Sequence, residues 1–211
     1  MPSRKHEEPL PESDESPVTQ NDAQSITVWT IGHSTHNYDT FLDLLRRHRI
    51  QAVADVRSRP YSGYNPHFNQ ERIRAELEVN GITYVHLGKE LGAHREEETF
   101  DLEGEDVFSA IAHSPLFKDG LKRLVDGAQK YRLAMMCGEK DPLTCHRTHL
   151  IERALRGSQP DLRVDHIGAD GTLETTHQFE SRLMKDNDVD EDDLFMTRAE
   201  LVNEAYRRAR R

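Results

Sequence analysis

Five short runs of strand character, spread over residues 26–167, constrain this chain more than any other feature. They are residues 26–31 (ITVWTI), 52–56 (AVADV), 83–87 (TYVHL), 133–137 (LAMMC) and 163–167 (RVDHI). Each has the length of a buried strand. The stretches between them carry a helical period instead. Phe41, Leu44, Leu45 and His48 recur at helical spacing behind Asn37, a candidate N-cap. Asn69 stands ahead of a stripe made by Ile73 and Leu77, with Gly81 past its end. Leu121, Leu124, Val125 and Ala128 mark a third helix. A fourth is expected from Thr144, with Leu150, Ile151, Ala154 and Leu155 on one side and Gly157 at its end. Strands separated by helices predict right-handed βαβ units. The expected fold is α/β and three-layered, a largely parallel central sheet with helices on both faces. It is Rossmann-like but lacks the dinucleotide fingerprint, since neither G-x-G-x-x-G nor a P-loop occurs.

Charge divides the chain into three parts. It holds 28 basic and 38 acidic residues, for a formal net charge of −10. Residues 1–24 carry four prolines, two basic and six acidic side chains. Such a segment buries too little apolar surface to offset its ordering entropy, so a disordered acidic arm is expected. Residues 25–181 form the expected single domain. Residues 182–211 are read as an acidic linker, Asp186 to Asp193, followed by a C-terminal helix. The quartet Thr197-Arg-Ala-Glu200 has capping-box form and should start that helix, which runs towards Arg208. The acidic run lacks the glycine and terminal glutamate of an EF-hand, so a solvated face is expected. Two cysteines, no secretory h-region and no apolar run long enough to span a bilayer point to a reduced, cytoplasmic setting without a membrane partner.

In an open parallel sheet, ligands bind beyond the carboxyl ends of the strands. Four of the five runs exit into polar segments: 32–36 (GHSTH), 55–62 (DVRSRPYS), 87–92 (LGKELG) and 137–147 (CGEKDPLTCHR). His, Cys, Arg, Asp and Glu therefore gather where a ligand would sit.

At these residues the sequence resembles the DUF488 family, a domain of unknown function. The resemblance rests on residues 30–34 (TIGHS), 55–57 (DVR) with Pro60 and Ser62, Phe68, Leu87-Gly88 with Leu91-Gly92, Cys137 with Glu139, and Cys145-His146-Arg147. His166 and His177 also fit it, and it spans roughly residues 26–180. It implies a three-layer α/β fold and a shared polar set, without a reaction.

The Cys145-His146-Arg147 triplet is the sharpest feature. It is expected in the first turn of a helix, where free N–H groups and the dipole favour anions and lower a thiol pKa. One reading makes the turn an anion cradle, with His146 and the forked Arg147 as contacts. A second makes Cys145 a nucleophile with a His as base. A third is structural: Cys145 as a small buried hydrophobe and Arg147 as a partner for Asp55 or Glu139. One residue separates Cys145 from Arg147, not the five of a tyrosine phosphatase. Asp55 and Glu139 should leave adjacent strands and are candidates for acid–base work, or else partners of Arg57, Arg59 or Arg147. His33 is a candidate base or hydrogen-bond donor to a phosphate, with Ser34 beside it. Arg57, Arg59, Tyr61, Tyr64, His67 and Phe68 mix cations with rings, which suits a nucleotide or a single strand, or a loop that packs its own aromatics. Cys137, Cys145, His146 and His149 do not match common structural zinc spacings, and adjacent Cys and His seldom point to one centre. The expectation is no resident metal and no other cofactor.

The leading functional expectation is an enzyme acting on an anionic substrate, phosphate-bearing and nucleotide-like, in a cationic cleft. Cys145, Glu139, Asp55 and His33 are its catalytic candidates. Ser34, Arg57, Arg59, Tyr61, Phe68, His146 and Arg147 are its ligand-binding ones. The alternatives are a non-catalytic module that binds nucleotide or single-stranded nucleic acid, and a metal-dependent hydrolase.

Overall fold

A computed structural model describes residues 26–94 and 107–209. The acidic arm, residues 1–24, and most of the acidic segment 93–106 lie outside the described residues. Six strands form one sheet: β1 (Thr27–Gly32), β2 (Ala52–Asp55), β3 (Thr83–His86), β4 (Leu133–Cys137), β5 (Arg163–Ile167) and β6 (Leu173–Glu174). Their order is β3-β2-β4-β1-β5-β6. The first five pair in parallel, and only β6 runs antiparallel, against β5. The three-layer α/β expectation holds. The two-residue β6 was not anticipated, because Leu173 and Glu174 carry no strand pattern of their own and are placed by the turn that returns the chain from β5.

Alternation along β4 explains the layers. Leu133, Met135 and Cys137 face one core, while Ala134 and Met136 face the other. The first core meets α3 (Gly88–Leu91), α4 (Val107–His113), α5 (Pro115–Ala128) and α6 (Arg153–Ser158). The second meets α1 (Tyr38–Arg47) and α2 (Gln70–Val79), through Phe41, Leu45, Ile73 and Leu77. Asn37 caps α1 by accepting from the Thr40 N–H at 2.8 Å, as its type and position predict. Asn69 precedes α2 without capping it, because its side-chain oxygen accepts instead from the Ser62 N–H.

Two departures bear on the site. The helix expected from Thr144 does not start there. Cys145 is extended, with φ −117° and ψ 142°. Arg147–Glu152 then form a π-helical turn, and regular α-helix begins only at α6. Such turns concentrate at functional sites. The second departure concerns the C-terminus. Helix α7 (Thr176–Asp186) runs through the 181/182 boundary drawn from composition. Helix α8 (Arg198–Arg208) starts at the predicted capping box of Thr197 and Glu200. Phe179, Leu183 and Met184 of α7 meet Leu201, Val202, Ala205 and Tyr206 of α8 in a third buried cluster. The C-terminal helix thus docks on its own chain. Among the described residues, no helix is long and apolar enough to cross a membrane.

A chain of alternating charges fastens these helices. Glu152, fully buried, accepts from Arg156 at 2.7 Å. Arg156 also pairs with Glu180, and Glu180 with Arg198 at 2.6 Å. His166 Nε2 lies 3.5 Å from Glu152, and burial holds His166 neutral. Burial raises Glu152 to about 7 against the pull of Arg156. Its folded pKa exceeds the unfolded value, so its contribution is present at low pH and is lost as pH rises from about 4.5 to about 7. His166 acts oppositely, since its lowered pKa costs stability as pH falls below the ordinary histidine range. Glu152→Gln mimics the protonated carboxyl. Relative to wild type it should gain stability across that window, by up to about 1.4 kcal/mol per pH unit. Denaturant midpoints between pH 4 and 8 test this, and parallel pH curves for the two proteins would contradict it.

Candidate functional site

The strand order sets the site. β2, β4 and β1 are neighbours, so their carboxyl ends open side by side. Beyond the strands the segments stay in register: His33 N–H donates to Cys137 O at 2.9 Å, Ser34 N–H to Gly138 O at 3.0 Å, and Val56 N–H to Met136 O at 3.0 Å. Two glycines permit this closeness. A Cβ on Gly32 would fall 1.9 Å from Glu139 O, and one on Gly88 1.9 Å from Arg57 O.

Asp55 ends β2 with no exposed surface. Arg57 grips it with two side-chain bonds, Nε to Oδ1 at 2.9 Å and Nη2 to Oδ2 at 2.6 Å. The Arg57 N–H and the Tyr84 hydroxyl complete its shell at 3.1 and 2.7 Å. Arg57 Nη2 also donates to Phe68 O, and Nη1 lies 3.1 Å from His33 Nε2. A guanidinium has five N–H groups. Four are engaged here among the described residues, and the remaining Nη1 hydrogen belongs to a side chain that lines a pocket. His33 stacks on Phe68 at 4.4 Å and aims Nδ1 at Ser34 O. Burial, then the Arg57 charge, lowers it to about 4, so it is a neutral ring with Nε2 accepting.

The pocket has a volume of about 250 Å³. Its lining includes His33, Arg57, Arg59, Tyr61, His94, Cys137, Glu139 and His146. Three of these residues, Cys137, Glu139 and His146, belong to a compact cluster with Cys145. Glu139 Oε2 accepts from Cys137 Sγ at 2.7 Å and from Cys145 Sγ at 3.1 Å. His146 Nδ1 lies 3.5 Å from Cys137 Sγ, and its Nε2 donates to Val56 O at 3.2 Å. One donor atom from each of Cys137, Glu139, Cys145 and His146 falls within 4.8 Å of the others. Burial favours the neutral Glu139 acid, but the two thiol hydrogen bonds outweigh it and hold the carboxyl at about 2.

Several sequence expectations change here. Cys145 was expected to have a lowered thiol pKa. Its shared hydrogen bonding with Cys137, followed by burial, pushes it well above the ordinary thiol range, and its side chain is 1% exposed. Asp55, a candidate acid or base, is saturated as the anchor of Arg57. Arg147, a candidate anion contact, is buried behind the pocket and donates to Glu139 O at 2.8 Å and Lys140 O at 3.3 Å. Ser34 lies outside the pocket lining and turns through φ 48°. Phe68 supports His33 from below. The expectation that adjacent Cys145 and His146 diverge is overturned. The chain passes from extended at Cys145 to helical at His146, and this corner turns both side chains to one centre. His149 stays apart and faces Leu143 O. Of the residues that sequence reasoning passed over, Tyr84 reads as a strand aromatic, and only the β2–β3 pairing reveals its reach to Asp55. His94 carries no motif. Cys137 was legible as a possible ligand but was not placed in the site.

A family model described as "Domain of unknown function DUF488" matches residues 37–154, more than half of the chain. The match is narrower than the 26–180 span of the resemblance, and it leaves out β1 with His33 and Ser34, and β5 with His166. No curated protein and no solved structure matches the chain.

Removing one partner of a buried ion pair strands the other charge. Asp55→Asn should therefore cost about 3–5 kcal/mol of unfolding free energy. Tyr84→Phe, which deletes one hydrogen bond to the same carboxylate, should cost about 1 kcal/mol. Urea unfolding of both variants reads the ratio, and an equal loss would refute the anchoring role of Asp55.

Proposed function

The chain belongs to the DUF488 family, and on that premise we propose that it binds a small anionic substrate at the strand ends and acts on it. The observation that carries this reading is Arg57: a guanidinium locked by Asp55, Phe68 O and His33, in the lining of a pocket beside Arg59. A fixed, permanently charged donor that needs no reorganisation suits a phosphate or carboxylate group. His94 and Ser62, which also line the pocket, add polar reach. Volume narrows the substrate. Pockets for drug-sized ligands occupy roughly 300–1,000 Å³, and 250 Å³ favours a phosphate, a carboxylate or a small phosphoester over a whole nucleotide. Glu139, ionised and exposed in the same lining, is the group available to accept a proton.

A second reading, a binding module without turnover, is supported by one observation. Glu139 is held near 2 and Cys145 far above the thiol range, so neither is poised near neutral pH, and the Asp55 oxygens are already taken up by Arg57 and Tyr84. Under that reading a nucleotide or single strand extends from the pocket over Tyr61 and Tyr64, which are 56% and 97% exposed.

Calorimetric titration with inorganic phosphate, small phosphomonoesters and mononucleotides tests the proposal. Arg59→Ala, at an exposed position, should weaken binding at least about tenfold, since a charge-assisted hydrogen bond contributes about 1.5–3 kcal/mol. Equal affinity in wild type and variant would remove the cationic pocket. Product formation from the tightest ligand distinguishes turnover from binding alone.

A further inference from the structure

We infer that Cys137, Glu139, Cys145 and His146 form a binding site for a zinc-class divalent metal ion. The inference goes beyond the anion reading and does not require it.

Convergence is the first argument. Two sulfurs, a ring nitrogen and a carboxylate oxygen from two separate segments lie within 4.8 Å of one another. Zinc bonds of about 2.0–2.3 Å place tetrahedral donors roughly 3.3–3.8 Å apart. Cys137 Sγ and His146 Nδ1 stand at 3.5 Å, inside that range. The two sulfur–carboxylate spacings, 2.7 and 3.1 Å, are shorter. An entering ion therefore has to spread these donors slightly, and Glu139, the exposed member, has room to yield.

His146 supplies the second argument. Its Nε2–H is committed to Val56 O, which leaves the Nδ1 lone pair directed at the sulfurs. Metal-bound histidines use the same device: a carbonyl takes the far N–H and fixes tautomer and ring orientation. Arg147 gives a third. Its backbone N–H and its Nη1 approach Cys145 Sγ at 3.5 and 3.6 Å, contacts that stabilise a thiolate once the proton has left. The same guanidinium ties down Glu139 O and Lys140 O, so the loop that bears the ligands is braced before any ion arrives.

The donor set names the class of ion. Two thiolates and an imidazole suit zinc and exclude calcium and magnesium, which take oxygen ligands. Two thiolates neutralise the ion's charge. Cys137, Cys145 and His146 would be the fixed ligands, and Glu139, at the pocket wall, the one a bound molecule could replace.

The test uses the full chain, reduced and stripped with chelator. Wild type should bind one zinc per chain and gain melting temperature with zinc but not with magnesium. Cobalt should give tetrahedral ligand-field bands and a thiolate-to-metal charge-transfer band, a readout that needs no variant. Loss of an outer-shell partner alone weakens zinc sites about 10–100-fold, so Cys145→Ser should lose about 100-fold or more, and His146→Gln should also lose affinity. An octahedral cobalt spectrum without charge transfer would overturn the site. So would a Cys137→Ser/Cys145→Ser protein that binds zinc as tightly as wild type, or a wild-type chain whose two thiols form a disulfide in preference to taking the metal. None of these outcomes alters the Arg59→Ala comparison with phosphate, so the two readings fail separately.

Discussion

The buried pair of Asp55 and Arg57 is the constraint on which the strand-end architecture depends. A carboxylate with no solvent access cannot stay ionised without compensation. Four donors surround it, and every one comes from a place the fold had to supply: the Arg57 main chain, the two ends of its fork, and Tyr84 from the neighbouring strand. Arg57 in turn carries strain-free obligations of its own. It holds the Phe68 carbonyl and the His33 ring, and so links the exits of β1 and β2 to the loop before α2. Replacing such a pair whole by packed apolar residues is often neutral for stability, whereas removing one partner leaves a stranded charge. A sheet with β2 shifted by one residue would strand the carboxylate in the core.

Elements that depend on local chemistry were readable from the residues. The capping box of Thr197 and Glu200, the cap at Asn37 and the five strand runs each express themselves within a few positions of their own signal. Features that depend on encounters between distant segments were not. The π-helical turn at Arg147–Glu152 breaks a stretch with a regular apolar period, because Cys145 is extended and Arg147 turns back to the carbonyls of residues 139 and 140. Periodicity records which side is apolar and is blind to that return. The same blindness made Cys145 and His146 look divergent, since adjacency argues for opposite directions only if the backbone is regular through both.

The candidate site was legible as a location and less so as a set of roles. Strand exits gathered His33, Arg57, Arg59, Glu139 and His146 around one pocket. Roles depended on burial, and burial of single side chains cannot be seen in a motif. Asp55 and Arg147 are both charged and both enclosed; each spends its charge on holding backbone or side chain in place. The overall −10 also misleads if taken as a surface property, because the pocket walls mix permanent cations with a thiol–carboxylate group.

The position of β1 has a consequence for how the chain can be made. Although first in sequence, it lies between β4 and β5, with Trp29 opposite Ala134 and Thr27 opposite Arg163. During synthesis it therefore has no sheet neighbour until more than a hundred further residues have left the ribosome. Its apolar run must wait, exposed, for partners of high sequence separation, and such pairings form slowly. The pocket at its end is complete only once His146 has emerged, so a nascent chain interrupted before residue 133 holds Arg57 and Phe68 against His33 but lacks Cys137, Glu139 and His146.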